Sequence, residues 1–308
     1  MSTPTRDAFG KAILEAGSDE RVVVLTGDLR DSTRTEEFAE TYPDRFVECG
    51  IAESNMVGVA SGLALSGKIP WACSFSCFVT GRFEQIRLSV AYQQANVRIV
   101  GTHSGIGVGE DGYSQMALED IAALRALPNM TIVNPADAAE TEQAVAALME
   151  HEGPAFLRLT RQGVEDVTRA TDGFRIGKAR TLREGGDVSL LATGATVAET
   201  IKAADQLAGE IEARVVDVHT LKPLDEGAIL ESAEATDTLV TVEDHSVVGG
   251  LGSAVAEVLA SQGVPKPLLR IGTETFGESG PPAELYEKYG LAADRIAERV
   301  RALVERRG

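Results

Sequence analysis

The stretch Asp44-Arg-Phe-Val-Glu48-Cys-Gly-Ile-Ala-Glu53-Ser-Asn-Met56 decides how the rest of this chain is read. Two acids, Glu48 and Glu53, stand beside apolar residues. Glu53 falls where a helix rich in Gly and Ala is predicted to start, over 54–65. A lone acid there has an ordinary account, because the helix dipole stabilises a first-turn carboxylate. Outward from this point, β-rich runs at 22–25, 71–75, 97–101, 130–133 and 155–159 alternate with helical patterns at 8–16, 54–65, 81–94, 116–127 and 136–150. Helices between short apolar strands imply βαβ units and a parallel sheet. Residues 162–186 lose the pattern and read as a linker. The alternation then resumes, with strands at 188–192, 213–218, 238–242 and 268–271 and helices at 197–208, 225–234, 252–261, 283–289 and 292–306. The expected fold class is α/β, with two three-layer α/β/α domains at residues 1–175 and 176–308.

Bulk properties agree with that class. Of 308 residues 44% are apolar, enough for buried cores. Lys and Arg number 29 against 47 Asp and Glu, a net charge of −18. Such a chain repels nucleic acid and anionic membranes, so an anionic substrate needs a local basic pocket. The first residues carry no apolar run of the signal-peptide type, and no apolar stretch of about 20 residues is present. Cys49, Cys73 and Cys77 read as reduced thiols in apolar segments. The expected setting is cytoplasmic.

Gly107-Val-Gly-Glu-Asp-Gly112 matches the dinucleotide pattern G-x-G-x-x-G. However, Glu110 and Asp111 would face the pyrophosphate, and Ile132-Val-Asn-Pro135 stands where an acidic residue should follow. Nicotinamide or flavin binding is therefore disfavoured. No nucleophile elbow, Walker loop or H-E-x-x-H helix occurs.

The opening stretch resembles the pyrimidine-binding domain of transketolase-like thiamine enzymes, and the resemblance continues in order along nearly the whole chain. Trp71-Ala-Cys-Ser-Phe75-Ser-Cys-Phe78 looks like the segment that walls the cofactor's pyrimidine ring. Thr102-His103 through Gly109-Glu-Asp111-Gly and Gln115 looks like the loop lining the substrate channel. Phe156-Leu-Arg-Leu-Thr-Arg161 closes the first domain, and His219-Thr-Leu-Lys-Pro-Leu-Asp225, Val242-Glu-Asp-His245 and Gly249-Gly-Leu-Gly252 resemble the C-terminal domain. The resemblance implies thiamine diphosphate as cofactor and transfer of a two-carbon ketol unit between sugar phosphates. In that family a carboxylate shares a proton with the pyrimidine ring, and the ring's imino form then removes the thiazolium proton. Glu53, flanked by Ile51, Ala52 and Met56, matches that carboxylate; its role needs ready proton exchange in a dry pocket. The resemblance further implies Phe75 and Phe78 against the ring, Arg6, Ser32, His103 and Arg161 around the substrate phosphate, and Asp111 and Gln115 along the sugar. His103 and Glu53 are the expected catalytic pair. Gln115 matches the animal-type branch, whereas bacterial and yeast enzymes have His there. Tyr113 replaces a small residue or Pro, and Gly81 stands where bacterial enzymes carry an aromatic.

One family signature is missing. Transketolases grip diphosphate and a divalent metal through G-D-G and a later Asn; Gly27-Asp28-Leu29 and Gly186-Asp187-Val188 fail at the third place. No metal ligand is expected on this chain. Mg2+ or Ca2+ and the diphosphate would be held by an N-terminal transketolase subunit, in a dimer of such pairs. The competing readings are the β subunit of a 2-oxo acid dehydrogenase, which should lack the GEDG loop, a non-catalytic paralogue, and deoxyxylulose-phosphate synthase.

Overall fold

The β-branched runs become the centres of two mostly parallel sheets in the computed structural model, which describes residues 2–306. The larger sheet has the order Thr220–Lys222, Thr131–Val133, Ala155–Arg158, Arg98–Thr102, Ile69–Phe75, Val22–Thr26, Phe46–Glu48. Only its first strand is antiparallel. The second sheet has the order Leu268–Thr273, Leu239–Ser246, Val188–Thr193, Ala213–Asp217, Arg180–Arg183, the last antiparallel. Every residue of Val22–Thr26, Ile69–Phe75 and Val188–Thr193 is buried, as required of strands covered on both faces.

The two-residue period of a strand sorts these side chains into layers. Val23, Leu25, Ala72 and Ile99 enter one apolar cluster, while Val22, Val24, Trp71 and Val100 enter another on the opposite face. The first of these clusters also takes Leu191, Val216 and Leu239 from the second sheet, so the two units share a core. The helices pack on both sides of the sheets, and this is the expected α/β class.

Several elements differ from the sequence reading. The predicted helix at 81–94 shortens to the contiguous Phe83–Gln85 and Ile86–Ala91, and a separate helix, Ser76–Thr80, precedes it. Gly81 caps that preceding helix, and Tyr92 N–H donates to Arg87 O five residues back, a widened turn. The helix expected over 116–127 starts only at Asp120, because Ala117 bridges to Ser104. The supposed linker contains two strands: Gly163–Glu165 pairs with Ser2–Pro4, and Arg180–Arg183 edges the second sheet. Thr220–Lys222, from the far half of the chain, completes the first sheet beside Thr131–Val133. Such short edge strands have no periodicity to read; their partners make them.

Candidate functional site

The larger sheet reverses its winding at Val22–Thr26. The next strand along the chain, Phe46–Glu48, lies on one side of it, and the following one, Ile69–Phe75, on the other. A crevice opens outside the carboxyl ends of strands at such a switch point. Glu53 stands there as the first residue of the helix Glu53–Leu65, with its side chain buried at 6% exposure. Ser74 Oγ donates to its Oε1 at 3.2 Å. Gly27, just past the strand, approaches so closely that a β-carbon there would lie 3.4 Å from Glu53 Oε1 and 3.2 Å from Gly50 O. Glu48 holds this floor together: its Oε1 accepts from Asp28 N and Gly50 N, both at 2.8 Å. These two donors sit in left-handed backbone, with φ of 63° and 67°. The apolar flank expected around Glu53 is only half present. Met56 is fully buried, but Ile51 points outward at 84% exposure.

Phe75 ends the next strand and His103 follows the one after it. Their rings stack at 3.6 Å between centroids, and Phe78 stacks on Phe75 at 5.2 Å. His103 adopts φ 56°, a left-handed turn that swings its ring back over the strand ends. Burial, then Arg6, Arg161 and Arg34, push its pKa down to about 3. The ring is therefore neutral at pH 7. Arg6 Nη1 lies 3.1 Å from His103 Nε2, and arginine can only donate. Nε2 thus accepts, the proton sits on Nδ1, and Nδ1–H donates to Thr102 Oγ1 at 2.9 Å.

Arg6 also donates to Ser32 O at 3.1 Å, so Ser32 meets it through the backbone carbonyl. Burial first, and then Arg34, lower the Arg6 pKa. Its buried Nε has no hydrogen-bond partner among the described residues. Arg161 donates to Val108 O at 2.6 Å and lies 3.4 Å from Asp111. Arg6, Ser32, His103, Arg161 and Asp111 thus converge, as a basic pocket in an acidic chain. Gln115 lies further round the rim, where its Oε1 accepts from Ser114 and Cys77 Sγ donates to Ser114 O at 3.5 Å.

The G-x-G-x-x-G match opens no helix. Residues Ile106–Asp111 form two short 3₁₀ turns that meet at a kink at Gly109, with φ of 85°, and Ile106 N–H donates to Asp244 at 2.8 Å. Among the described residues, no three His, Cys, Asp or Glu side chains gather as a metal site, and no helix is long and apolar enough to cross a membrane. Of the cysteines only Cys73 is fully buried; burial pushes the Cys77 thiol up to about 12. Sequence reasoning missed Gly27, Ser74 and Arg34. Gly27 carried a signal, as a glycine directly after a fully apolar strand. Ser74 and Arg34 carried none.

Fold and site define a class: a two-unit parallel α/β protein with one buried carboxylate, an aromatic wall and a cationic cluster at the switch point of the first sheet. Comparison with known proteins narrows the class. Residues 2–166 match "Transketolase, pyrimidine binding domain" and residues 177–296 match "Transketolase, C-terminal domain". The chain belongs to the transketolase family. It is 46% identical over 96% of its length to a "Putative transketolase C-terminal section" of Methanocaldococcus jannaschii, covering 94% of that protein. It is 44% identical to the "6-deoxy-6-sulfo-D-fructose transketolase subunit SqwH" of Clostridium sp., over 98% of this chain and 95% of that one. Against Homo sapiens transketolase identity is 39% over 97% of this chain, which spans 49% of the human protein. A solved structure described as "Split gene transketolase, inactive beta4 tetramer" superposes with a TM-score of 0.91 at 45% identity, over 98% of this chain and 99% of that one. The chain is thus of the C-terminal type that split transketolases carry as a separate subunit.

Proposed function

We propose that this chain is the pyrimidine-activating subunit of a thiamine-diphosphate-dependent transketolase that moves a two-carbon ketol unit between sugar phosphates. The division into a pyrimidine domain and a C-terminal domain falls near residue 175. The observation that carries the reading is Glu53: a buried carboxylate at the switch-point crevice, with Ser74 donating to its Oε1.

The residues fit the pyrimidine end of the cofactor. Glu53 offers a carboxylate in a nearly dry crevice, Gly27 leaves room beside it, and Phe75 and Phe78 supply aromatic surface. Held by these residues, thiamine diphosphate would supply carbanion chemistry at the donor's carbonyl. Glu53 holds and exchanges a proton at the pyrimidine ring nitrogen. Neutral His103 accepts a hydrogen bond at Nε2, which Arg6 Nη1 supplies at 3.1 Å, and cannot donate from it. Arg6 and Arg161 grip the sugar's phosphate, for which guanidinium forks suit the geometry. Asp111 and Gln115 hydrogen-bond the sugar chain.

The diphosphate and its divalent metal fall to a partner subunit, in a dimer of such pairs. Exposed apolar side chains support this: Ile51 just before the Glu53–Leu65 helix, Leu65 at its far end and Tyr92 after Ile86–Ala91 are 84%, 67% and 76% exposed. On the same helix, a β-carbon at Gly62 would meet nothing within 4 Å. A helix that is apolar on its outer face is one awaiting a neighbour.

Purified alone with cofactor and Mg2+, the chain should show negligible ketol transfer; robust activity from the lone chain overturns the split-enzyme reading. Reconstituted with its partner it should be active, and Glu53→Gln should abolish turnover while the circular dichroism spectrum stays unchanged. Near-normal turnover in that variant removes Glu53 from its role.

A further inference from the structure

The second α/β unit contributes none of the site residues above, yet its side chains reach to the back of the site. Asp244 lies fully buried on the strand Leu239–Ser246. Its carboxylate accepts Ile106 N–H at 2.8 Å and also the Gly107 N–H. Gly105 packs against the same carboxylate so tightly that a β-carbon there would lie 2.1 Å from Oδ2. Tyr286, on the helix Pro282–Lys288, donates its hydroxyl to Asp244 Oδ2 at 2.9 Å and accepts from Gln162 Nε2 at 2.5 Å. Gln162 in turn packs on Gly107 and adjoins Arg161, whose guanidinium donates to Val108 O.

These contacts close a ring through two segments of the first unit, the 105–111 turn and the 161–162 corner, fastened by two side chains of the second. We propose that Asp244 and Tyr286 are positioning residues for the phosphate end of the substrate: they hold the 105–111 turn and Arg161 in one register, so that Asp111 meets the sugar chain while Arg161 meets its phosphate. The physical reason is that a 3₁₀ turn this short has few hydrogen bonds of its own. Its register comes from the donors it gives away, and two of those go to one buried carboxylate. Glu53, Phe75 and the cofactor crevice lie on other loops and do not depend on the ring.

This rests on the function proposed above, and the test separates the two. In the reconstituted complex, Tyr286→Phe keeps the ring packing and removes both hydroxyl contacts. The KM for a phosphorylated ketose should rise about fivefold to tenfold, the worth of one buried hydrogen bond, with kcat nearly unchanged. A short unphosphorylated hydroxy-keto acid donor, which reaches neither Asp111 nor Arg161, should be used as before. Gln162→Met, at the half-buried end of the ring, should shift the same KM in the same direction and serves if Tyr286→Phe does not fold. Equal effects on both donors, or no effect on either, overturn the proposal. If the wild-type complex shows no ketol transfer, the functional reading has failed. The ring is then judged in the isolated chain, where the Ile106 and Gly107 amides should exchange faster in Tyr286→Phe; unchanged exchange overturns it there too.

Discussion

At Glu53 the chemistry depends on atoms that are not its own. The carboxylate accepts from Ser74 and lies close to Gly27, and the next residue, Asp28, is held by Glu48. Gly27→Ala puts a methyl group 3.2 Å from Gly50 O and 3.4 Å from Glu53 Oε1, so the Gly50 carbonyl, on the loop that leads into the Glu53 helix, must give by a few tenths of an ångström. Turnover of the reconstituted complex should fall about tenfold or more, because displaced catalytic groups lose rate steeply. Thermal unfolding of the isolated variant should stay within a few degrees of the parent. An unchanged rate would mean that the crevice is more pliable than its packing implies. His103 shows a similar dependence on neighbours. Its identity was legible in the sequence, but its neutral state and tautomer follow from the buried position beside Arg6.

Among the elements, the helix Ala138–Glu150 shows how start chemistry and tertiary contacts combine. The Asp137 side chain accepts Glu140 N–H at 2.9 Å, and Glu140 reaches back to Ala136 N–H at 2.8 Å. Asp137 also accepts from Val167 N, Thr168 N and Thr168 Oγ1, between 2.6 and 2.7 Å. One carboxylate therefore caps a helix and fastens the connection between the two units. Asp137→Ala should cost about 2–4 kcal/mol, more than a cap alone, because it leaves further buried donors without partners. The urea midpoint of the isolated chain measures this; a loss below 1 kcal/mol would show that the connection is held elsewhere. The helix was legible over 136–150. The second duty of Asp137 was not, since Val167 and Thr168 lie 30 and 31 residues away in a segment without pattern.

For the whole molecule, the shared core between the sheets also buries titratable groups of opposite tendency. Burial drives His103 and His219 down to about 3 and His245 down to about 4. Each favours folding when neutral, so its contribution is complete above the unfolded value of about 6.5 and is lost as pH falls towards the folded one. Glu243, held up to about 7 by burial, and the Glu140–Asp217 pair, raised by burial across the two units, act oppositely. Their stabilisation is complete at low pH and is lost as pH rises. The net dependence is a partial cancellation, and a single substitution exposes one side of it. His219, whose ring lies tilted against Phe174 at 4.2 Å between centroids, is the cleanest choice because it lies outside the site. Relative to the parent, His219→Leu should gain about 1–2 kcal/mol between pH 7 and pH 5. Urea midpoints at the two pH values check this, and a constant gap would mean that the ring titrates alike in both states.

The sequence by itself determined the layered α/β class, the central strands and the order of the site segments. These are local properties: apolar runs with a two-residue period, helical periodicity between them, and residues that follow a strand end within a few positions. Only the tertiary structure decided the rest. It put Thr220–Lys222 into the first sheet, ended a short helix at Thr80, turned Ile51 outward and Met56 inward, and set Arg6 against His103 across 97 residues of chain. It also brought Asp244 and Tyr286 behind the 105–111 turn. The reason is the same in each case. An edge strand, a ring tautomer or a buried carboxylate takes its state from the groups packed against it, and those groups come from distant parts of the chain.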